Sequence, residues 1–143
     1  MKISIVQNNP VKEDWKSNLA NLDQLIGSGC GADIYVLPEM FATGQFIDPT
    51  PVVQTMDGPI VEWMRAKAAA LDAAVCGTLP VSENGKVYNR FCFARPDGTL
   101  DYYDKHHLFT YSGESMHFSR GDKRVVITRS EERRVGKECE GMC

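Results

Sequence analysis

The spacing of apolar positions changes several times along the chain, and each change predicts a different element. From Lys2 to Gln7 the pattern alternates, with Ile3 and Ile5 set against Lys2 and Ser4. That period of two predicts a strand, which Asn8-Asn9-Pro10 ends. Between Val11 and Ile26 the spacing lengthens, and Trp15, Leu19, Leu22, Leu25 and Ile26 recur at three and four residues, as on one side of an amphipathic helix. Gly27-Ser28-Gly29 closes it, as glycine past a helix should. Asp33 to Leu37 is apolar almost throughout, the composition of a strand covered on both faces. Asp57-Gly58-Pro59 reads as a helix start with proline in the first turn. That helix runs to about Leu71, with Ile60, Met64, Lys67 and Leu71 on one side. Ala73 to Leu79 is again a buried strand.

This β-α-β-α-β order predicts an α/β protein with a mainly parallel sheet. The pattern then shifts. Lys86 to Arg95 alternates through Val87, Asn89, Phe91 and Phe93, Pro96-Asp97-Gly98 makes a turn, and Thr99 to Tyr103 resumes as a strand. These read as antiparallel members, so the sheet is mixed. Asp104-Lys105-His106-His107-Leu108-Phe109 leads into a polar stretch, Thr110 to Asp122, of a length that is usually functional or disordered. Val125 to Thr128 reads as a last strand.

Composition narrows the class without naming a chemistry. A length of 143 residues suits one domain, and 43% apolar with 24% charged residues is ordinary for a soluble chain. A net charge of -3 with dispersed basic residues gives no footprint for nucleic acid or an anionic membrane. No apolar run is long enough to span a bilayer, and the first residues alternate where a signal peptide would be continuously apolar. Five scattered cysteines, at 30, 76, 92, 139 and 143, form no CxxC pair, so a reduced, cytoplasmic protein is expected.

Several site classes are set aside. Gly27 to Ala32 matches the letters G-x-G-x-x-A, but a helix precedes it and a strand follows, the reverse of what pyrophosphate binding needs. His106 and His107 are adjacent on an extended segment and point to opposite faces, and with His117 they show no metal-ligand spacing. No cofactor and no metal are expected. What remains is Glu39, Lys105 and Glu114, each at the end of an element. Glu39 follows the second strand through Pro38, at the carboxyl end where parallel sheets carry their chemistry. Singly, each could be a solvated surface charge.

Together they form a resemblance. Leu37-Pro38-Glu39-Met40-Phe41 followed by Thr43-Gly44 resembles the glutamate motif of the nitrilase, or carbon-nitrogen hydrolase, superfamily. Tyr88-Asn89, Pro96-Asp97-Gly98 and Asp104-Lys105-His106-His107-Leu108-Phe109 resemble its hairpin and lysine motif. Gly113-Glu114 with Phe118-Ser119-Arg120-Gly121-Asp122 resembles the segment of its second glutamate. The resemblance covers roughly residues 1 to 128, and the Pro-Glu-Met-Phe-x-Thr-Gly form is similar to the omega-amidase branch, which hydrolyses the terminal amide of 2-oxo-dicarboxylic acid monoamides. It implies the N-terminal part of a four-layer α-β-β-α sandwich, a small-molecule amide as substrate and a homodimer for the full-length family. It also implies roles: Glu39 as base and acid, Lys105 beside the oxyanion, and Glu114 orienting Lys105 or the hydrolytic water.

The nucleophile is where the resemblance stops. The family's cysteine sits in an elbow after the Gly-Asp segment, whereas residues 129–143 hold eight charged residues in fifteen. Cys139 is near the expected distance, but nothing around it matches, so the role is not carried onto it. The expectation is a partial domain over 1–128 with a foreign or frameshifted tail over 129–143, inactive by itself. The alternative is a short non-catalytic α/β protein that uses the same loops for binding or assembly.

Overall fold

The computed structural model describes residues 1–45 and 48–128. Five strands form one sheet in the order β1 (Ile3–Ile5), β2 (Ile34–Val36), β3 (Ala74–Glu83), β4 (Lys86–Ala94) and β5 (Leu100–Asp104). β1, β2 and β3 are parallel, and β3, β4 and β5 are antiparallel, so the sheet is mixed as the sequence predicts. Helices α1 (Trp15–Ile26) and α2 (Pro59–Leu71) fill the two parallel crossovers. Because the strand order never reverses, two right-handed crossovers stack both helices on the same face. The main core agrees: Leu19, Leu22 and Ile26 of α1 and Ile60, Val61, Met64 and Ala68 of α2 pack with Tyr35, Val75 and Ala94 of the sheet. Burying each of the larger side chains contributes about 1.5–3 kcal/mol.

Among the described residues, the other face is nearly bare. Ile5, Val36, Cys76, Phe93 and Asp101 lie side by side across all five strands. Only a small cluster around Ala74, Cys76 and Phe93 is buried there, with Ile34, Val36, Phe91 and Ile127 packed against it. The described residues thus supply one helix layer and one sheet of the four-layer arrangement. Among them, no helix is long and apolar enough to cross a membrane.

Several features depart from the sequence reading. α1 begins at Trp15 rather than Val11, because Glu13 takes a left-handed φ of 64° and Asp14 caps the helix through the Ser17 N–H. β3 does not stop at Leu79 but runs through Pro80 to Glu83. The Pro80 carbonyl points away from β4, accepting from the Gln54 N–H, so the missing proline N–H lies on the side where β2 has already ended. Asn84 and Gly85, with φ of 52° and 73°, then close a two-residue hairpin that the sequence reading passed over. The stretch 110–122 holds a 3-10 turn, Thr110–Ser112, and a single helical turn, α3 (Glu114–His117). Val125 to Thr128 is not a strand: it makes no ladder hydrogen bonds among the described residues, and apolar composition cannot supply a partner.

Candidate active site

Glu39 is placed by a tight turn at the end of β2. Met40, buried beside it, has a φ of 54°, a left-handed conformation rarely adopted by a side chain of this size. The surroundings hold it there. The Met40 N–H donates to Thr78 Oγ1 of β3 (2.9 Å), and the Met40 carbonyl accepts from the N–H groups of Thr43 and Gly44. Asn8 Nδ2 donates to the Phe41 carbonyl and the Glu13 N–H to that of Thr43. Asn18, buried on α1, donates to the carbonyls of Ala42 and Val11 at 2.7 Å. The helix that packs the core therefore also fixes the loop carrying Glu39.

Lys105 follows β5 directly. Its N–H donates to the Asn89 carbonyl (3.0 Å), and its carbonyl accepts from the Gly121 N–H (3.1 Å). A Cβ on Gly121 would collide with the Asp104 carbonyl oxygen, so the chain can pass this closely only as glycine. Glu114 opens α3. The structure brings all three sequence-selected residues together on the bare face of the sheet. Lys105 Nζ donates to Glu39 Oε1 at 2.9 Å and to both oxygens of Glu114, at 3.2 and 3.0 Å.

A fourth residue joins them. Asn89, 2% exposed, donates from Nδ2 to Glu39 Oε1 (2.7 Å) and to Glu114 Oε1 (2.9 Å), so one amide ties the two carboxylates together. The sequence reading quoted Asn89 as part of a motif without giving it a role. A signal was available, because Asn89 is the one polar residue in the alternating set Val87, Asn89, Phe91 and Phe93. Thr78, which pins Met40, had no comparable signal.

The two carboxylates are not equivalent. Both oxygens of Glu114 are engaged, Oε2 also accepting from the Phe109 N–H (2.6 Å), and the side chain is only 10% exposed. Glu39 is 41% exposed, and its Oε2 makes no hydrogen bond among the described residues. Burial works against the Glu114 carboxylate, but hydrogen bonds from Asn89, the Phe109 N–H and Lys105, with the lysine charge, outweigh it and hold the carboxyl below the usual glutamate value. Burial likewise works against the Lys105 ammonium, and the bonds to Glu39 and Glu114 more than offset it, raising Lys105 above an ordinary lysine.

The cluster lines a cavity of about 710 Å³ whose walls include Met40, Gln45, His107, Phe109 and Phe118. No cysteine among the described residues lines it. Cys76 and Cys92 are buried in the sheet, where burial pushes their thiols up to about 11 and about 12. Cys30 lies at a second cavity, of about 300 Å³, with Ser4 and Tyr35. Cys139 and Cys143 fall outside the described residues. No group of three or more histidine, cysteine, aspartate or glutamate side chains among the described residues could hold a metal ion.

The carbon-nitrogen hydrolase family model matches residues 2–138. The chain belongs to the carbon-nitrogen hydrolase family. Relatives of this carbon-nitrogen hydrolase include omega-amidase YafV of Escherichia coli, 34% identical over 127 residues, or 89% of this chain and 49% of that protein. A 2-oxoglutaramate amidase of Bacillus subtilis is 30% identical over 95 residues, covering 64% of this chain and 37% of its own length. Among solved structures, a CN-hydrolase superfamily protein of Xanthomonas campestris superposes with a TM-score of 0.85 at 34% identity, covering 90% of this chain and 49% of that one. The carbon-nitrogen hydrolase chain thus spans half or less of the length of these curated relatives.

Proposed function

We propose that Glu39, Lys105 and Glu114 form the carboxylate–lysine–carboxylate part of an omega-amidase site, acting on the terminal amide of small 2-oxo-dicarboxylic acid monoamides such as 2-oxoglutaramate. The observation that carries this reading is the asymmetry of the two glutamates. Among the described residues, Glu39 keeps one carboxylate oxygen free at the cavity, as a group that takes and returns a proton must. Glu114 has both oxygens spent and serves to hold the lysine. In the proposed reaction Glu39 accepts the proton of an attacking thiol and delivers it to departing ammonia. The Lys105 ammonium faces the negative charge that gathers on the carbonyl oxygen. The substrate class is that of the amidases of Escherichia coli and Bacillus subtilis at 30–34% identity.

The thiol is assigned to none of the described cysteines, and the role is not carried onto Cys139, which falls outside them. The 143-residue chain is therefore proposed to bind the amide without turning it over. Adding 2-oxoglutaramate to the isotope-labelled chain tests both halves, with resonances and ammonia release followed together. Expected are shifts confined to Lys105, Phe109 and their neighbours, with no ammonia. Absence of any shift overturns the substrate assignment, and turnover lost in Cys139→Ala overturns the view of the nucleophile.

A further inference from the structure

Neighbouring residues on a strand point to opposite faces, and β4 uses both of them on the same target. Asn89 faces the cavity, while Arg90 faces the helix side and is fully buried. Its guanidinium meets Asp104 in a two-pronged contact, Nε to Oδ1 at 2.6 Å and Nη2 to Oδ2 at 2.9 Å. Nη2 also reaches Glu83 Oε2 at 3.0 Å, and the Tyr88 and Tyr102 rings lie 5.4 and 4.0 Å from the guanidinium carbon. A planar fork between two rings fixes the carboxylate it grips in direction as well as distance. Asp104 is the residue before Lys105.

We propose that Arg90 is a positioning residue for Lys105: from the far side of the sheet it anchors Asp104, and so fixes where the lysine side chain starts toward Glu39 and Glu114. The proposal rests on the omega-amidase reading for its catalytic meaning, though the clamp itself is a matter of geometry. Three constraints converge on residues 104 and 105. Arg90 holds the Asp104 side chain, the Asn89 carbonyl holds the Lys105 N–H, and the Gly121 N–H holds the Lys105 carbonyl. Without Arg90, Asp104 keeps a charge in a largely buried place with no guanidinium to face, and β5 shifts to hydrate it. Lys105 then loses its fit between the glutamates.

Trace acylation of lysines, read residue by residue by mass spectrometry, reports this directly, because a tightly paired ammonium reacts slowly. Lys67, paired with Asp23 at 2.6 Å on α2, is the internal reference. In Arg90→Met the Lys105 rate is expected to rise about three- to tenfold, the factor for half to one unit of lost ammonium stabilisation. The Lys67 rate stays unchanged. Asp104→Asn, which keeps the shape and loses the charge, should give the same selective rise, and Arg90→Lys a smaller one. An unchanged Lys105 to Lys67 ratio in folded Asp104→Asn overturns the proposal, and so does an equal rise at both lysines, the mark of general loosening. The functional reading fails separately, if 2-oxoglutaramate gives Lys105 no protection in the parent chain.

Discussion

On the face covered by α1 and α2, Leu22, Ile60, Met64 and Val75 are fully buried in a large apolar core, and the polar groups there, Asn18 and Arg90, are buried and paired. On the opposite face Ile5 is 81% exposed, the apolar cluster is small, and the polar groups of Glu39, Asn89, Lys105 and Glu114 gather beside it. The same five strands carry both. The packed face supplies the rigidity, since Asn18 reaches from α1 to the loop behind Glu39 and Arg90 braces Asp104 from behind. The bare face presents the candidate site. A site built this way needs few stabilising contacts of its own, because its backbone is positioned from the other side.

Substitutions on the two faces should separate accordingly. Met64→Ala leaves a cavity under the sheet and is expected to cost about 2–5 kcal/mol in denaturant unfolding. Lys105 acylation relative to Lys67 should change little in the folded protein. Gly121→Ala forces a methyl group against the Asp104 carbonyl and is expected to cost about 1–3 kcal/mol. Unlike Met64→Ala, it should also raise Lys105 reactivity. If Met64→Ala disturbs Lys105 as much as Gly121→Ala does, the division between faces is wrong.

Acid titration sharpens the comparison. The folded pKa of Glu114 lies below its unfolded value, so the stability it contributes is fully present above the ordinary glutamate value of about 4.3. That contribution fades as pH falls through the lowered folded value. Lys105, raised in the fold, contributes below the ordinary lysine value and loses that contribution as pH climbs through its raised folded value. Urea midpoints from pH 7 to 3 should therefore fall less steeply in Glu114→Gln than in the parent. The smallest effect is expected from Ile5→Lys, within about 0.5 kcal/mol of the parent. The same change should reduce self-association in sedimentation, because β1 is an edge strand with exposed isoleucines.

The sequence reading reached the strand and helix order, the mixed sheet and the three charged residues, because each leaves a local mark. A period of two or four, a proline before Glu39 and a polar turn before Lys105 are visible without partners. What it missed depended on partners. Pro80 argues for a strand end unless one knows that β2 has stopped short of it. Val125 to Thr128 has strand composition, yet no neighbour among the described residues pairs with it. α3 is four residues long, too short to show a helical period. Asn89 did break its own alternating pattern, and weighing a lone polar residue on an apolar face would have pointed to the site.

The Asn84-Gly85 turn has a consequence for the order of assembly. It joins nine paired positions of β3 and β4 through neighbours in sequence, whereas the Lys105–Glu39 contact closes across 66 residues and Asn89–Glu39 across 50. Closing a long loop is entropically slower to be rewarded than zipping a hairpin, so we infer that the hairpin forms ahead of the site. Stopped-flow kinetics would separate them: Asn84→Val should chiefly slow refolding, and Glu114→Gln should chiefly speed unfolding. The reverse pattern would place the site in the folding nucleus. On this order the lysine meets its glutamates late in folding, and the Glu39–Lys105–Glu114 cluster is among the first contacts to open when the chain unfolds.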